Sequence, residues 1–205
     1  MVMATSKGIV KKTSFDNFAS VRSSGLIAMK LQADEELVAA DVVTQKDEVI
    51  LVTQNGQAIR FAVKGLRPAS RTSGGVRGIR LGPGDRVVAM STVFAGAHLL
   101  TVTENGFGKR TRVTSYPLQT RGGKGIRAHR VNEKTGKVIA AKLVPPDQHV
   151  IIISTKGIVI RIPVDEEVSL QGRDTQGVHL NKLDRDDKVA SIAFVHRGED
   201  KDTGV

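Results

Sequence analysis

Thr53-Gln-Asn-Gly56-Gln-Ala-Ile-Arg60 is a polar turn closed by glycine that runs straight into a short segment of mixed apolar and basic character. An Asn-Gly pair beside segments rich in β-branched residues signals a hairpin, because the tight turn needs backbone angles that Asn and Gly adopt with little strain. The same phrase stands at three other places: Thr5-Ser-Lys-Gly8-Ile-Val-Lys-Lys12, Thr103-Glu-Asn-Gly106-Phe-Gly-Lys-Arg110 and Ser154-Thr-Lys-Gly157-Ile-Val-Ile-Arg161. The four glycines lie 48, 50 and 51 residues apart, and each is followed four positions later by Lys or Arg. Spacing that regular marks an internal repeat.

Further marks keep the same phase. Gly25-Leu-Ile-Ala28, Gly78-Ile-Arg-Leu81, Gly125-Ile-Arg-Ala128 and Gly177-Val-His-Leu180 each open an apolar segment on a glycine. A second apolar segment follows a polar turn at 36–40, 85–90, 136–141 and 187–192. A third, at 49–52, 99–102 and 150–153, feeds the next glycine turn. Each unit reads as about four short strands, and no stretch has a convincing helical period. Four-stranded units at this spacing imply an all-β, propeller-like array, since a lone blade cannot bury both of its faces. The repeats run approximately over residues 1–52, 53–102, 103–153 and 154–195, within one domain of residues 1–195. Val2-Met3-Ala4 holds the place that Ile50-Leu51-Val52 holds one unit later, so the chain is expected to start inside a strand, as a piece of a longer array. Residues 196–205 are polar and expected to form a disordered tail.

Composition narrows the function. Aromatic residues make up 3%, with no Trp and one Tyr, so the core must be built from Val, Ile, Leu and Ala. Cysteine is absent, which removes disulfides and thiolate metal sites and fits a reducing compartment. The first residues lack the apolar run of a secretion signal, and the longest pure aliphatic run is Val150–Ile153, far short of the roughly 20 residues that span a bilayer. A soluble, cytoplasmic protein is expected. The formal charge of +10 and a pI near 10.1 point to a polyanionic partner, either nucleic acid or an acidic membrane surface.

The charge is uneven. The four repeats, the last carried to residue 205, have net charges of −1, +6, +7 and −2, so the two central ones hold more than the whole excess. Lys12, Arg60, Arg110 and Arg161 recur after the hairpin turn, and Arg80 and Arg127 after the second glycine. With Arg77, Lys109, Arg112 and Arg130 they are expected to form a basic rim. In the third repeat stands Gln119-Thr-Arg-Gly-Gly-Lys-Gly125, followed by Ile126-Arg-Ala-His-Arg130. Its three glycines let the backbone approach a partner closely, while Arg121, Lys124, Arg127 and Arg130 supply charge on both sides. That combination suits a phosphate backbone.

No catalytic group or cofactor site is expected. Tyr116, between Ser115 and Pro117, reads as a turn residue packing beside this loop. A Gly-x-x-x-x-Gly-Lys-Ser/Thr nucleotide loop is missing, and His98, His129, His149, His179 and His196 lack ligand spacing for a metal. Asp34-Glu35-Glu36 and 184–187 fall at the recurring turn and read as solvated acids. Two other readings stay open on the residues alone: a propeller that meets an acidic protein surface, and attachment to anionic membrane, for which the usual amphipathic helix is missing.

The four repeats, the loop Tyr116-Pro-Leu-Gln-Thr-Arg-Gly-Gly-Lys-Gly125 and the phrase Gly172-Arg-Asp-Thr-Gln-Gly-Val178 resemble the C-terminal domain of the A subunit of bacterial DNA gyrase, a close relative being that of topoisomerase IV. The resemblance extends to about Val195. It implies a β-pinwheel whose blades exchange a strand and around whose basic rim duplex DNA is wrapped. Gln119, Arg121, Gly122, Gly123, Lys124 and Gly125 match the family's gyrase A box, Gln-Arg-Arg-Gly-Gly-Lys/Arg-Gly. Thr120 departs from it, and the box lies in the third repeat rather than the first. The resemblance further implies a monomeric domain without chemistry of its own. Its implied partners are double-stranded DNA and, within a nucleoid-associated heterotetramer, the gyrase B subunit plus the remainder of the gyrase A subunit.

Overall fold

The computed structural model describes residues 1–21, 23–145, 147–180, 183–184 and 186–196. It is almost entirely antiparallel β-structure. The first repeat supplies β1 (Val2–Thr5), β2 (Ile9–Lys12) and β3 (Leu37–Asp41), and the second β4 (Glu48–Thr53), β5 (Gln57–Ala62), β6 (Val76–Arg77) and β7 (Val87–Thr92). The third supplies β8 (His98–Thr103), β9 (Phe107–Arg112), β10 (Ile126–Arg127) and β11 (Val138–Val144). The fourth supplies β12 (Gln148–Ser154), β13 (Val159–Pro163), the single-turn helix α1 (Val164–Glu167), β14 (Val178–His179) and β15 (Val189–His196). The tail expected over 196–205 loses His196 to β15, and residues 197–205 lie outside the described residues.

The sheets follow the orders β3-β1-β2-β6, β10-β5-β4-β7, β11-β8-β9-β14 and β13-β12-β15. Three of them therefore borrow a two-residue strand from the following repeat, with Val10 opposite Val76, Ala58 opposite Ile126 and Gly108 opposite Val178. This is the strand exchange that the family resemblance implies. The hairpin turns form where the Asn-Gly and Lys-Gly pairs place them: Gly8, Gly56, Gly106 and Gly157 have φ between +76° and +85°, a region that strains side-chain-bearing residues.

The strands are out of phase with the sequence repeats in two respects. The cuts at 52/53, 102/103 and 153/154 sit beside the hairpin turns, and each separates a strand from its partner; β4 pairs with β5 and β7, so the second sheet's own strands begin at Glu48. In the second repeat Gly75, with φ +117°, opens the borrowed strand, not Gly78. Arg77 is thus the counterpart of Arg127, and Arg80 that of Arg130. The Gly25–Ala28 segment forms no strand.

The chain divides into two compact units, one of residues 1–93 and 116–127, the other of 94–115 and 128–205. The first holds the β1 and β4 sheets around a shared core in which Val2, Ala4 and Val10 pack with Val49, Leu51, Ile59 and Phe61. In the second, Leu100 and Val102 of β8 pack with Val150, Ile152 and Ile162. Neither sheet of a pair buries both faces without the other, and each fully buried Val, Ile or Leu contributes about 1.5–3 kcal/mol. The core is mostly aliphatic, as composition requires, with Phe61, Phe107 and Tyr116 added.

Candidate functional site

After β9 a tight turn (Val113–Ser115) and the buried Tyr116 deliver the chain to Leu118, which bridges Arg60 at the edge of β5. The Gln119 amide donates to the Arg60 carbonyl at 2.8 Å. From there the loop is sewn onto the stretch that follows β6. The Gly122 amide donates to the Gly78 carbonyl at 2.6 Å, and the Arg80 amide to the Gly123 carbonyl at 2.8 Å. The Arg121 guanidinium, through Nη1, donates to the Arg77 carbonyl at 3.2 Å. Gly125 has φ +71°, and any Cβ there would collide with the Ala58 carbonyl, so the loop can re-enter the sheet as β10 only with glycine at this position. Backbone bonds, with the one Arg121 side-chain bond, fix the loop.

Its charged groups consequently face solvent. Lys124, Arg77, Arg80 and Arg127 are exposed, and Arg121 and Gln119 are half-buried. Two shallow clefts flank the loop. One, of about 450 Å³, is lined by Asn55, Gln57, Arg80, Asp85, Lys124 and Gly125; the other, of about 400 Å³, by Phe61, Lys64, Gln119 and Arg121. Each cleft thus holds a pair of cations, against one carboxylate in the first and none in the second.

The other basic positions do not form one class. Lys12 is buried, and its Nζ donates to the Val63 carbonyl and to Gln45 Oε1, both at 3.1 Å. Arg60 pairs with Glu48 at 2.6 Å and donates to the Tyr116 carbonyl at 3.2 Å. Arg110 donates to the carbonyls of Val168 and Asp165, both at 2.7 Å. The cation after each of these three hairpins therefore clamps the turn that follows the equivalent strand of the next repeat. The fourth, Arg161, is exposed and donates to His149 Nδ1 at 2.9 Å. Arg112 is exposed, and Arg130 makes a half-exposed ion pair with Asp174 at 3.2 Å.

Lys109 departs furthest from a rim. It is fully buried, and its Nζ donates to the carbonyls of Gly172 (2.7 Å) and Arg173 (2.5 Å) and to Thr175 Oγ1 (3.0 Å). Burial pushes its pKa down to about 8. Asp174 opposes that shift, and Arg173 and Arg130 add to it. Beside it His129, also fully buried and 2.9 Å from Thr101 Oγ1 through Nδ1, is lowered to about 4, first by burial and then by the Lys109 charge. Lys11 holds the matching place in the first repeat, with its ammonium on the carbonyls of Ala28, Ser70, Arg71 and Ser73. Charge counting hides these lysines. The signal that finds them is register: Lys11, Ile59, Lys109 and Ile160 each stand three residues after a hairpin glycine, and Ile59 is buried.

Register also shows that the glycine-rich loop is one of a set. Ala69 and Gln171 repeat the bond of Gln119, donating to the carbonyls of Lys12 and Arg110 at 2.8 Å. The Lys30 and Arg130 amides repeat that of Arg80, donating to Ser73 (3.4 Å) and Thr175 (2.9 Å) carbonyls. Among the described residues no three His, Cys, Asp or Glu side chains gather where they could hold a metal, and no helix is long and apolar enough to cross a membrane.

The family model described as "DNA gyrase C-terminal domain, beta-propeller" matches the chain four times, over residues 1–44, 47–93, 97–145 and 148–196. The chain belongs to this family. The matched segments begin where the sheets begin, one strand ahead of the glycine turns. Among relatives, this gyrase-family chain is 44% identical over 198 residues to the DNA gyrase A subunit of Dehalogenimonas lykanthroporepellens and 46% identical over 199 residues to that of Clostridium acetobutylicum. Those alignments take in 94% and 97% of the chain and 24% of each relative. The chain thus spans about a quarter of the length of the curated relatives it matches. A solved DNA gyrase A C-terminal domain superposes with a TM-score of 0.82 at 28% identity, covering 93% of this chain and 64% of that one. The C-terminal domain of a DNA topoisomerase IV gives 0.86 at 21% identity, over 95% and 61%, a likeness of fold.

Proposed function

We propose that residues 1–195 bind duplex DNA through its phosphates, without reading sequence, and bend it as part of the DNA-wrapping domain of a gyrase A subunit. The observation that carries this reading is the Gln119–Gly125 loop. Its backbone is tied down by amide–carbonyl bonds, so Arg121, Lys124 and the neighbouring Arg77 and Arg80 are left to face solvent beside two clefts. Fixed cations around a bare glycine backbone suit a phosphodiester, which needs charge and close approach rather than a shaped pocket. Arg112, Arg127, Arg130 and Arg161 extend the exposed set; Lys12, Arg60, Lys109 and Arg110 support it from within.

In physical terms a smooth bend of 40–90° costs about 1–6 kcal/mol, offset by the added phosphate contacts. With roughly 6 to 10 phosphates neutralised, affinity falls about 10³- to 10⁵-fold between 50 and 200 mM salt. The domain supplies direction rather than chemistry. It works as a monomeric module of the A subunit, with the B subunit completing a cytoplasmic, nucleoid-associated heterotetramer in which ATP-dependent negative supercoiling takes place. The cleavage tyrosine and the ATPase belong to other parts of that assembly.

The test is a topoisomer distribution. The protein is bound to nicked circular DNA, the nick is ligated, the protein is removed and the linking-number change per bound molecule is counted. A consistent signed shift is expected. Salt-dependent binding without a shift would replace wrapping by simple holding, as in a topoisomerase IV-type domain. Absence of binding would end the DNA reading and leave a protein-binding propeller.

A further inference from the structure

The loop between β5 and β6 has a feature that the glycine-rich loop lacks. Lys11 is 1% exposed, and its ammonium draws in the carbonyls of Ser70 (3.3 Å), Arg71 (2.6 Å) and Ser73 (3.0 Å) from that loop, together with Ala28 (2.7 Å). The described residues have no cis peptide bonds, and in a trans peptide the N–H points opposite to the C=O that precedes it. Three carbonyls turned inward therefore turn three amides outward: those of Arg71, Thr72 and Gly74. None of the three donates to another group among the described residues. Ser70, Thr72 and Gly74 are exposed, so these amides open to solvent. From Leu66 to Arg80 the chain carries Arg67, Arg71, Arg77 and Arg80 and no carboxylate. The corresponding loop of the fourth repeat, held by Lys109, carries Asp174 where this one has Thr72.

We propose that Ser70–Gly74 is a second phosphate site, in which the outward amides of Arg71, Thr72 and Gly74 take one phosphodiester of duplex DNA and Lys11 is the positioning residue. Outward backbone amides in succession form an anion-binding concavity, and a buried cation beneath them adds to its potential. The ammonium has a double effect. It satisfies the carbonyls that would otherwise compete to face the ligand, and it lends charge to a site whose contacting atoms are neutral. The Arg71 guanidinium, anchored through Nη1 to the Ile27 carbonyl at 2.8 Å, lies close enough to Lys11 for the two charges to add to the local positive potential. Duplex DNA as the ligand rests on the proposed function; the amide geometry and Lys11 do not.

The experiment is an amide NMR titration of the ¹⁵N-labelled chain, once with a short DNA duplex and once with inorganic phosphate. Arg71, Thr72 and Gly74 should shift in both. Lys11→Met, which places a thioether where the second repeat has Ile59, should abolish those shifts while leaving the amides of residues 94–115 in place. The same variant should flatten the salt dependence of duplex binding by about one phosphate's worth, a slope change near 0.9. Should Lys11→Met fail to fold, the wild-type titrations decide alone. Duplex binding that leaves the three amides unmoved overturns the second site and spares the DNA reading. Phosphate shifts without any duplex binding overturn DNA as the ligand, and no shift with either probe overturns the site itself.

Discussion

The loops 119–125 and 171–177 occupy matching places, one in each compact unit, and rest on opposite chemistry. Beneath the first lies Ile59, and of its cations Lys124 is exposed and Arg121 half-buried. Beneath the second lies the ammonium of Lys109, while its outer surface carries Asp174 beside Arg173. The first is held by backbone bonds to the preceding repeat, through Gly122, Gly123 and the Arg80 amide; the second shares the backbone bonds of Gln171 and Thr175 and adds the ammonium of Lys109 from below. A lysine inside a loop organises peptide dipoles, and a lysine outside it meets a partner. Composition counts both alike, so net charge locates the basic repeats without saying which cations a polyanion can reach.

The largest expected effect tests the backbone half of this contrast. Gly125→Ala puts a Cβ into the Ala58 carbonyl at a φ of +71° and should destabilise the chain by about 3 kcal/mol, combining left-handed strain with a forced shift of β10. Gly122→Ala also has positive φ, but its Cβ would lie 3.6 Å from the Arg77 carbonyl, an ordinary contact, and should lose only about 1 kcal/mol. Chemical denaturation of the two variants checks the ranking. Equal losses would mean that the loop is not fixed by its re-entry into the sheet.

The next effect tests the buried-cation half, through pH. Folded His129 titrates near 4 and an unfolded histidine near 6.5, so between those values the unfolded chain binds more protons. Stability should therefore fall as pH drops through that window, by up to about 3 kcal/mol, with the loss complete below 4. For Lys109, with a folded value of about 8 against 10.5 unfolded, the unfolded chain again binds more protons in between. Its unfavourable contribution is full below 8 and relieved as pH rises towards 10.5. His129→Met, which copies Met29 at the matching place of the first repeat, should remove the acid-side loss. Hydrogen exchange at β9 amides between pH 4 and 7, corrected for intrinsic rates, reads it directly; an unchanged profile would mean that His129 titrates normally.

Strand number and hairpin positions were legible because each depends on local chemistry: a glycine that must take positive φ, and β-branched residues on either side. Strand exchange was legible only through the family resemblance. The borrowed strands are two residues long, and nothing in Val76-Arg77 or Ile126-Arg127 says that the partner belongs to the preceding repeat. The doubled glycines of Gly74-Gly75-Val76-Arg77-Gly78 concealed the phase of the second repeat, since Gly75 and Gly78 both precede an alternating pair. The box stood out through its side chains, but what holds it, the Gly78 carbonyl and the Arg80 amide, is backbone from another repeat and has no sequence signature. The clamping role of Lys12, Arg60 and Arg110 was invisible for a similar reason. Their acceptors are carbonyls of Val63, Tyr116, Val168 and Asp165, identities irrelevant to the bond.

The smallest effect is the one that separates reach from support. Arg121→Ala with Lys124→Ala removes one half-buried and one exposed cation from a loop whose backbone is otherwise secured, so the fold should be little changed and the salt slope of duplex binding should flatten by about 2. Arg60→Ala with Arg110→Ala removes two clamps, whose guanidinium groups satisfy carbonyls next to the 116–125 and 168–177 loops. That pair should lower thermal stability, and should weaken DNA binding by misplacing the loops rather than by deleting contacts. Bending, measured by the end-to-end distance of a doubly labelled duplex, should suffer more in the first pair at equal occupancy, because the Gly122–Lys124 surface would grip the phosphates that hold the duplex curved. The clamp variants should recover wild-type bending at low temperature, where the loops re-seat, whereas the surface variants should not, since cooling restores geometry but cannot restore a missing charge.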